Sequence, residues 1–144
     1  MTRTFLTLAL GLALGVGTLS LSAHEKHGKA KVTTLSARDV AEKLDGKAAR
    51  VTTVEVTLQP GQASAPHRHP GPVFGYVLEG EYEWAIDDNK AKTLKVGDTF
   101  YEPTGSLHRV SRNPSAKTKT RVLAVVLHPR DAKQLVIPDA AKKE

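Results

Sequence analysis

The sequence predicts an all-β domain, a sandwich or barrel of short strands. Three observations carry that expectation. Runs rich in β-branched residues recur at near-regular spacing and stop at Gly or Pro. The 8 prolines and 11 glycines favour turns over long helices. The 144 residues, 40% hydrophobic and 25% charged, have the size and balance of one globular domain rather than of a disordered chain.

Taken in order, the chain opens on an export signal. Arg3 is the only charge before Glu25, Phe5 to Leu14 is largely apolar, and Ser20, Ser22 and Ala23 supply small residues at the exit. That order reads as a secretory signal peptide over residues 1–23, cut before Ala23 or before His24. A membrane anchor is the competing reading. A spanning helix needs about 20 consecutive apolar residues, and Gly11, Gly15, Gly17, Thr18 and Ser20 interrupt this run. Cleavage is therefore preferred, with no stable membrane anchor afterwards and a periplasmic or secreted mature protein.

Residues 24–34 have no apolar period and read as a flexible basic lead. A cut before His24 would leave its amine and imidazole able to chelate Cu(II), with His27 nearby, although a polar tail is the simpler reading. Ser36 and Asp39 ahead of Val40, Ala41 and Leu44 predict a short capped helix that Gly46 ends. Strands then follow: Val51 to Leu58, closed by Pro60-Gly61; Val73 to Glu79 and Glu81 to Ile86, divided by Gly80; and Thr99 to Glu102, stopped by Pro103. Leu107 to Ser111, Thr120 to Leu127 and Gln134 to Ile137 complete the set. The domain spans 35–138, and 139–144 form a polar tail.

Composition removes several function classes. No cysteine is present, which excludes disulfides, thiolate metal sites and Cys nucleophiles. No GxxxxGK[ST] or GxGxxG pattern supports a nucleotide-binding loop. The net charge is +6, and the lysines near 26–31, 90–95 and 117–121 are scattered. With no nucleic-acid motif beside them they read as solvation, and no nucleic-acid partner is expected.

Two clusters carry the chemistry. In Gly61 to Pro70, His67 and His69 are two residues apart, so a strand places both imidazoles on one face and turns Arg68 away. Neutral imidazole is the commonest protein ligand for transition metals. In Gly97 to His108, a Pro103-Thr104-Gly105 turn leads into His108 at the start of another strand. Each histidine alone reads as an ordinary surface or hydrogen-bonded residue.

Together the clusters resemble the cupin family, and specifically its small single-domain bacterial members. The family's first motif is Gly, five residues, His-x-His, three or four residues, Glu, six residues, Gly; Gly61, His67, His69 and Gly80 fall on it. Its second motif is Gly, five residues, Pro-x-Gly, two residues, His, three residues, Asn; Gly97, Pro103, Gly105 and His108 match. The resemblance implies a double-stranded β-helix, or jelly roll, with one metal inside the barrel, here carrying the short N-terminal helix as well. Two positions depart from the pattern. Val73 stands where the family has its Glu ligand, and Arg112 takes the place of the terminal Asn, with Asn113 one residue later. The first departure leaves His67, His69 and His108 as a neutral three-nitrogen set, suited to Fe, Cu, Ni or Zn rather than Mn. A three-His site with open positions can support catalysis.

The remaining candidates are weaker. Phe74, Tyr76, Tyr82, Trp84, Phe100 and Tyr101 read first as barrel core or dimer surface, with Tyr76 and Tyr101 as candidate catalytic residues beside a phenolic substrate. Among Glu79, Glu81, Glu83 and Glu102, Glu102 belongs to the His108 motif and is the candidate base nearest the metal. His128 lies outside both motifs and reads as structural. The leading functional reading is an exported metal-binding cupin with a mononuclear dioxygenase-type reaction on a small, aromatic molecule. The alternative, from another class, is a non-catalytic module that binds a small ligand or a metal. Open edge strands favour a homodimer.

Overall fold

The protein is described here by a computed structural model that covers residues 26–27 and 29–139. The expected signal segment, His24 and most of the polar tail lie outside the described residues. Twelve strands and no helix make up the described chain. They are β1 (Lys26–His27), β2 (Lys31–Leu44), β3 (Lys47–Leu58), β4 (Gln62–Ala63), β5 (His67–Arg68) and β6 (Val73–Glu79). β7 (Glu81–Ile86), β8 (Lys92–Lys95), β9 (Thr99–Glu102), β10 (His108–Arg112), β11 (Thr120–Pro129) and β12 (Ile137–Pro138) follow.

The strands form two sheets. One has the order β2-β3-β11-β6-β9. In the other, β10 pairs with β7 and, through β4 and β5, reaches β1 and β12, while β8 extends the β7 edge. This is the expected jelly roll. Its strand boundaries at Val73–Glu79, Glu81–Ile86 and Thr99–Glu102 coincide with those read from the sequence. Gly80 joins β6 to β7 at φ 75°, and there the chain leaves one sheet for the other.

The N-terminal region corrects two expectations. Ser36 to Leu44 is not a helix: it belongs to β2, whose Ser36, Ala37, Arg38 and Asp39 pair with Thr53, Thr52, Val51 and Arg50 of β3. A helix this short is marginal by itself, and a neighbouring strand that satisfies every second backbone group overrides its weak local preference. Asp39 is an ion-pair partner of Arg50 at 2.7 Å, not a cap. Asp45 (φ 51°) and Gly46 (φ 75°) make the tight β2–β3 turn, both residues in the left-handed region that Asp-Gly hairpins use. The lead expected to be flexible also contributes structure, since Lys26–His27 pair with Gln62–Ala63 and Lys31 opens β2.

Alternation decides what lies inside. Along β11, Thr120, Val122, Ala124, Val126 and His128 are buried while their neighbours are partly exposed. On β6 the inner set is Val73, Gly75 and Val77, with Phe74 and Tyr76 outside. Leu58, Val77, Val122 and Tyr82 pack the core between the sheets. Elsewhere the inward side chains are small, among them Val54, Val73, Ala124 and Val126, and they leave a cavity of about 540 Å3. A barrel of this size has room for one small ligand when its lining is small.

Gly75 makes one large neighbour possible. It lies opposite Phe100 in the β6–β9 ladder, and a Cβ there would come within 2.0 Å of the Phe100 ring. The ring covers the glycine and packs against Tyr82 and Trp84 at centroid distances of 5.5 and 5.7 Å. Gly75→Ala should therefore lower the unfolding free energy by about 1–3 kcal/mol, as overpacked cores do, in urea denaturation.

On the outer face, Arg121 grips Glu55 through two hydrogen bonds of 2.7 and 2.8 Å and holds its carboxyl below the ordinary value of 4.5. A carboxyl whose pKa falls on folding stabilises the protein above that ordinary value, and loses the contribution as pH drops through the lowered one. Glu55→Gln should be less stable than the parent at pH 7, and the gap should narrow as the pH is taken down below 4.5 when both are melted across the range.

Candidate metal centre

β10 organises the site because it is held on both edges. His108, its first residue, is the register partner of His67 on β5 and of Ile86 on β7. Direct cross-strand partners carry neighbouring side chains, and the His67 and His108 ring centroids are 4.9 Å apart. His69 follows two residues after His67, its ring 4.9 Å from that of His67. The loops are tied from behind: the Gly105 amide donates to the His69 carbonyl at 3.1 Å, and Arg68 reaches the Gly105 carbonyl at 2.8 Å. The turn before His108 thus locks onto the His-x-His segment, and Arg68 points away from the site as the alternation requires.

Each imidazole is oriented by a fixed partner. His67 Nδ1–H donates to the Ala65 carbonyl at 2.8 Å, and His69 Nδ1–H donates to the Leu135 carbonyl at 2.6 Å. A neutral ring that donates from Nδ1 keeps its lone pair on Nε2, the form that binds a metal. His108 Nε2 lies 3.3 Å from the Tyr82 hydroxyl, which is also 2.9 Å from Ser111 Oγ. One ligand atom from each of His67, His69 and His108 falls within 4.8 Å of the others.

A carboxylate joins them. Glu102 is 1% exposed, with Oε1 3.1 Å from His108 Nδ1 and Oε2 3.5 Å from His69 Nε2. Trp84 Nε1–H donates to Oε1 at 3.2 Å. Burial raises the Glu102 pKa to about 7, against the pull of the Trp84 hydrogen bond. Burial also lowers all three histidines, His69 to about 4 and His108, which has two imidazole neighbours as well, to about 3. The rings are held neutral, as ligands must be. Glu102 Oε2 and His108 Nδ1 are buried without any hydrogen-bond partner. Orphaned lone pairs of this kind are costly in a protein interior, and a cation between them is the partner they lack. The donor set fits a divalent transition ion.

The sequence candidates divide cleanly. His67, His69, His108 and Glu102 all line the cavity, as does Val73. Tyr76 and Tyr101 do not: at 42% and 50% exposure they sit on the outer face of β6 and β9, because strand alternation sends them opposite to Gly75 and Glu102. The tyrosine beside the imidazoles is Tyr82, which the sequence reading placed in the core. Its parity with Trp84 was legible, but the strands that it faces were not. The Leu135 carbonyl that orients His69 comes from the far end of the chain, and nothing in the sequence marks it. His128 is structural, with Nε2 2.9 Å from Thr52 Oγ1.

Asn113 does more than end a strand. It is fully buried, its amide donates to the Leu58, Gln59 and Thr118 carbonyls at 3.2, 3.1 and 2.8 Å, and its carbonyl accepts from the Ser115 amide at 2.9 Å. The residue pins the end of β3 to the 115–118 turn while Arg112, in the motif position, pairs outside with Glu83. Asn113→Ala should cost about 1–3 kcal/mol through unsatisfied buried carbonyls, readable as a lower urea midpoint.

Comparison with known proteins agrees with this fold. The chain is 34% identical over 79 residues to a germin-like protein (subfamily 2 member 4) of Arabidopsis thaliana, a match that takes in 51% of this chain and 36% of the relative. It spans about a third of the length of the curated relatives it matches. Among solved structures, a double-stranded β-helix protein of Klebsiella pneumoniae superposes with a TM-score of 0.57 at 21% identity, over 78% of this chain and 87% of that one. The DMSP lyase DddQ of Ruegeria pomeroyi superposes at 0.58 with 19% identity, over 80% of this chain and 54% of that one. Both likenesses are of fold. The cupin-domain family model matches residues 54–126, the stretch that holds His67, His69, Glu102 and His108 and most of the barrel core, and by that match the chain belongs to the cupin family.

Proposed function

We propose that this cupin is an exported metalloprotein in which His67, His69 and His108 hold one divalent transition ion and a small molecule reacts beside it in the barrel cavity. The observation that carries the reading is the convergence of three neutral, pre-oriented imidazoles on an apolar cavity of about 540 Å3. That volume lies within the range of small-molecule sites, in which a few polar groups fix orientation and the walls supply affinity. Phe100 and Tyr82 offer ring faces, while Val54, Val126 and Leu135 exclude water. A small, mainly apolar molecule, aromatic in the leading case, with one polar group turned toward the imidazoles suits such a lining.

A bound transition ion would supply Lewis acidity and, where redox-active, the electrons for an oxygenase-type reaction. The chain supplies the rest. The Ala65 and Leu135 carbonyls fix two rings, and the Tyr82 hydroxyl stands beside His108. The signal-like first 23 residues support export, with a mature chain that begins at Ala23 or His24. Intact mass of a periplasmic extract tests that part, and a full-length chain in the inner membrane would refute it.

Metal analysis of protein from its native source tests the centre. His67→Ala, His69→Ala and His108→Ala should each lose most of the bound ion, about tenfold or more, whereas His128→Ala should lose stability and keep its metal. Equal occupancy in all four variants would place the ion elsewhere. Oxygen uptake by the loaded protein against a panel of phenols then tests the reaction. Binding of those phenols without uptake would reduce the protein to a metal- and ligand-binding module.

A further inference from the structure

We infer that Glu102 is the carboxylate ligand of this centre, supplied by β9 in place of the Glu that the cupin first motif puts at position 73. The inference rests on the three-histidine reading above and adds a fourth donor to it. Val73 and Glu102 are direct partners in the β6–β9 ladder. Both are buried on the inner face and both line the cavity. Opposite residues hold their Cβ atoms about 5 Å apart, so a carboxylate moved from 73 to 102 still reaches the same imidazoles. Val73 vacates the space, and Glu102 reaches the site from the next strand.

The distances from Glu102 to two of the three histidines are those of donors around one ion. Two ligands at about 2.1 Å from a metal lie ~3.0 Å apart at a right angle and ~3.4 Å apart at the tetrahedral angle. Glu102 Oε1 is 3.1 Å from His108 Nδ1, and Oε2 is 3.5 Å from His69 Nε2. Trp84 occupies Oε1 as a hydrogen-bond donor, which leaves Oε2 unpartnered among the imidazoles. Among the described residues, the ion pairs of Glu102 are to His69 and His108 alone, with no Lys or Arg. A carboxylate buried to this degree without a permanent cation is a poor structural element. As a ligand it has its partner, and Trp84 takes the orienting role that outer hydrogen bonds play at metal sites.

The consequence is a changed metal preference. A hard oxygen donor with a negative charge brings Mn(II) within reach of a site that three imidazoles alone would leave to Fe, Cu, Ni or Zn. The test is competitive titration of the full chain with Mn(II), Co(II) and Cu(II), together with the visible spectrum of the Co(II) form. Glu102→Gln keeps the shape and the Trp84 contact, and should weaken Mn(II) binding by about 10- to 100-fold while Cu(II) binding falls by a smaller factor. Its Co(II) bands should shift as one ligand is lost. In the exchanged variant Val73→Glu with Glu102→Val, the carboxylate returns from the other strand and Mn(II) affinity should recover to within about tenfold of the parent. Should that double variant not fold, Glu102→Gln alone decides. Mn(II) affinity and Co(II) bands unchanged in Glu102→Gln would overturn the inference and leave the three-histidine site standing. A parent that binds none of the three ions, like His67→Ala, would overturn both.

Discussion

The register of β10 against β5 is the constraint on which the site depends. His108 lies opposite His67, and one step of slippage would send one of the two imidazoles to the opposite face. That register is held from three directions. β7 pairs along the other edge of β10 from Glu83 to Ile86. The Gly105 amide and Arg68 side chain bind the turn before His108 to the His-x-His segment. At the far end, Asn113 fastens the exit of β10 to the carbonyls of Leu58, Gln59 and Thr118. Many individually modest hydrogen bonds thereby hold the two side chains in register, which is what a metal centre asks of its scaffold.

The electrostatics follow from where that register places the rings. Burial among Val73, Val126 and Leu135 favours the neutral imidazoles, and each of the three loses basicity. The same burial makes the Glu102 proton harder to remove. A group of this composition is poorly satisfied by its own members, since two of its polar atoms have no partner. The barrel maintains it because the surrounding ladders are strong: β11 pairs with β3 from Thr120 to Pro129 and with β6 from Arg121 to Val126. Stability is made in one sheet, and the polar site is carried largely by the other. The separation has a mechanical basis, because the first sheet is built on the long strands β2, β3 and β11 of 14, 12 and 10 residues, while β4 and β5 have two residues each.

With Glu102 as the inferred ligand, the ligand pattern would change without a change of fold. A motif records position along the chain, whereas a metal responds to position in space. Two residues facing each other in a ladder are distant in sequence and adjacent in the barrel, so a carboxylate lost at one is replaceable at the other. Val73 departs from the motif along the chain, and Glu102 stands opposite it in the β6–β9 ladder.

The sequence by itself determined the fold class and the limits of β6, β7 and β9, and it singled out the three histidines that the barrel brings together. Alternation of apolar residues, Gly and Pro at the turns and the His-x-His spacing are local signals that need no knowledge of neighbours, whereas His108 joined the pair through the resemblance to the cupin motifs. Only the tertiary structure decided the rest. Ser36 to Leu44 carries weak helical signals that lose to pairing with β3. Tyr76 and Tyr101 look like pocket residues until alternation and sheet packing turn them outward, and Tyr82 is brought to the site instead. Glu102 reaches His69 and His108, and Leu135 orients His69, through contacts between segments that no sequence period connects. The physical reason is the same in each case. A strand has two faces and two edges, and which neighbour covers each of them is settled by long-range pairing.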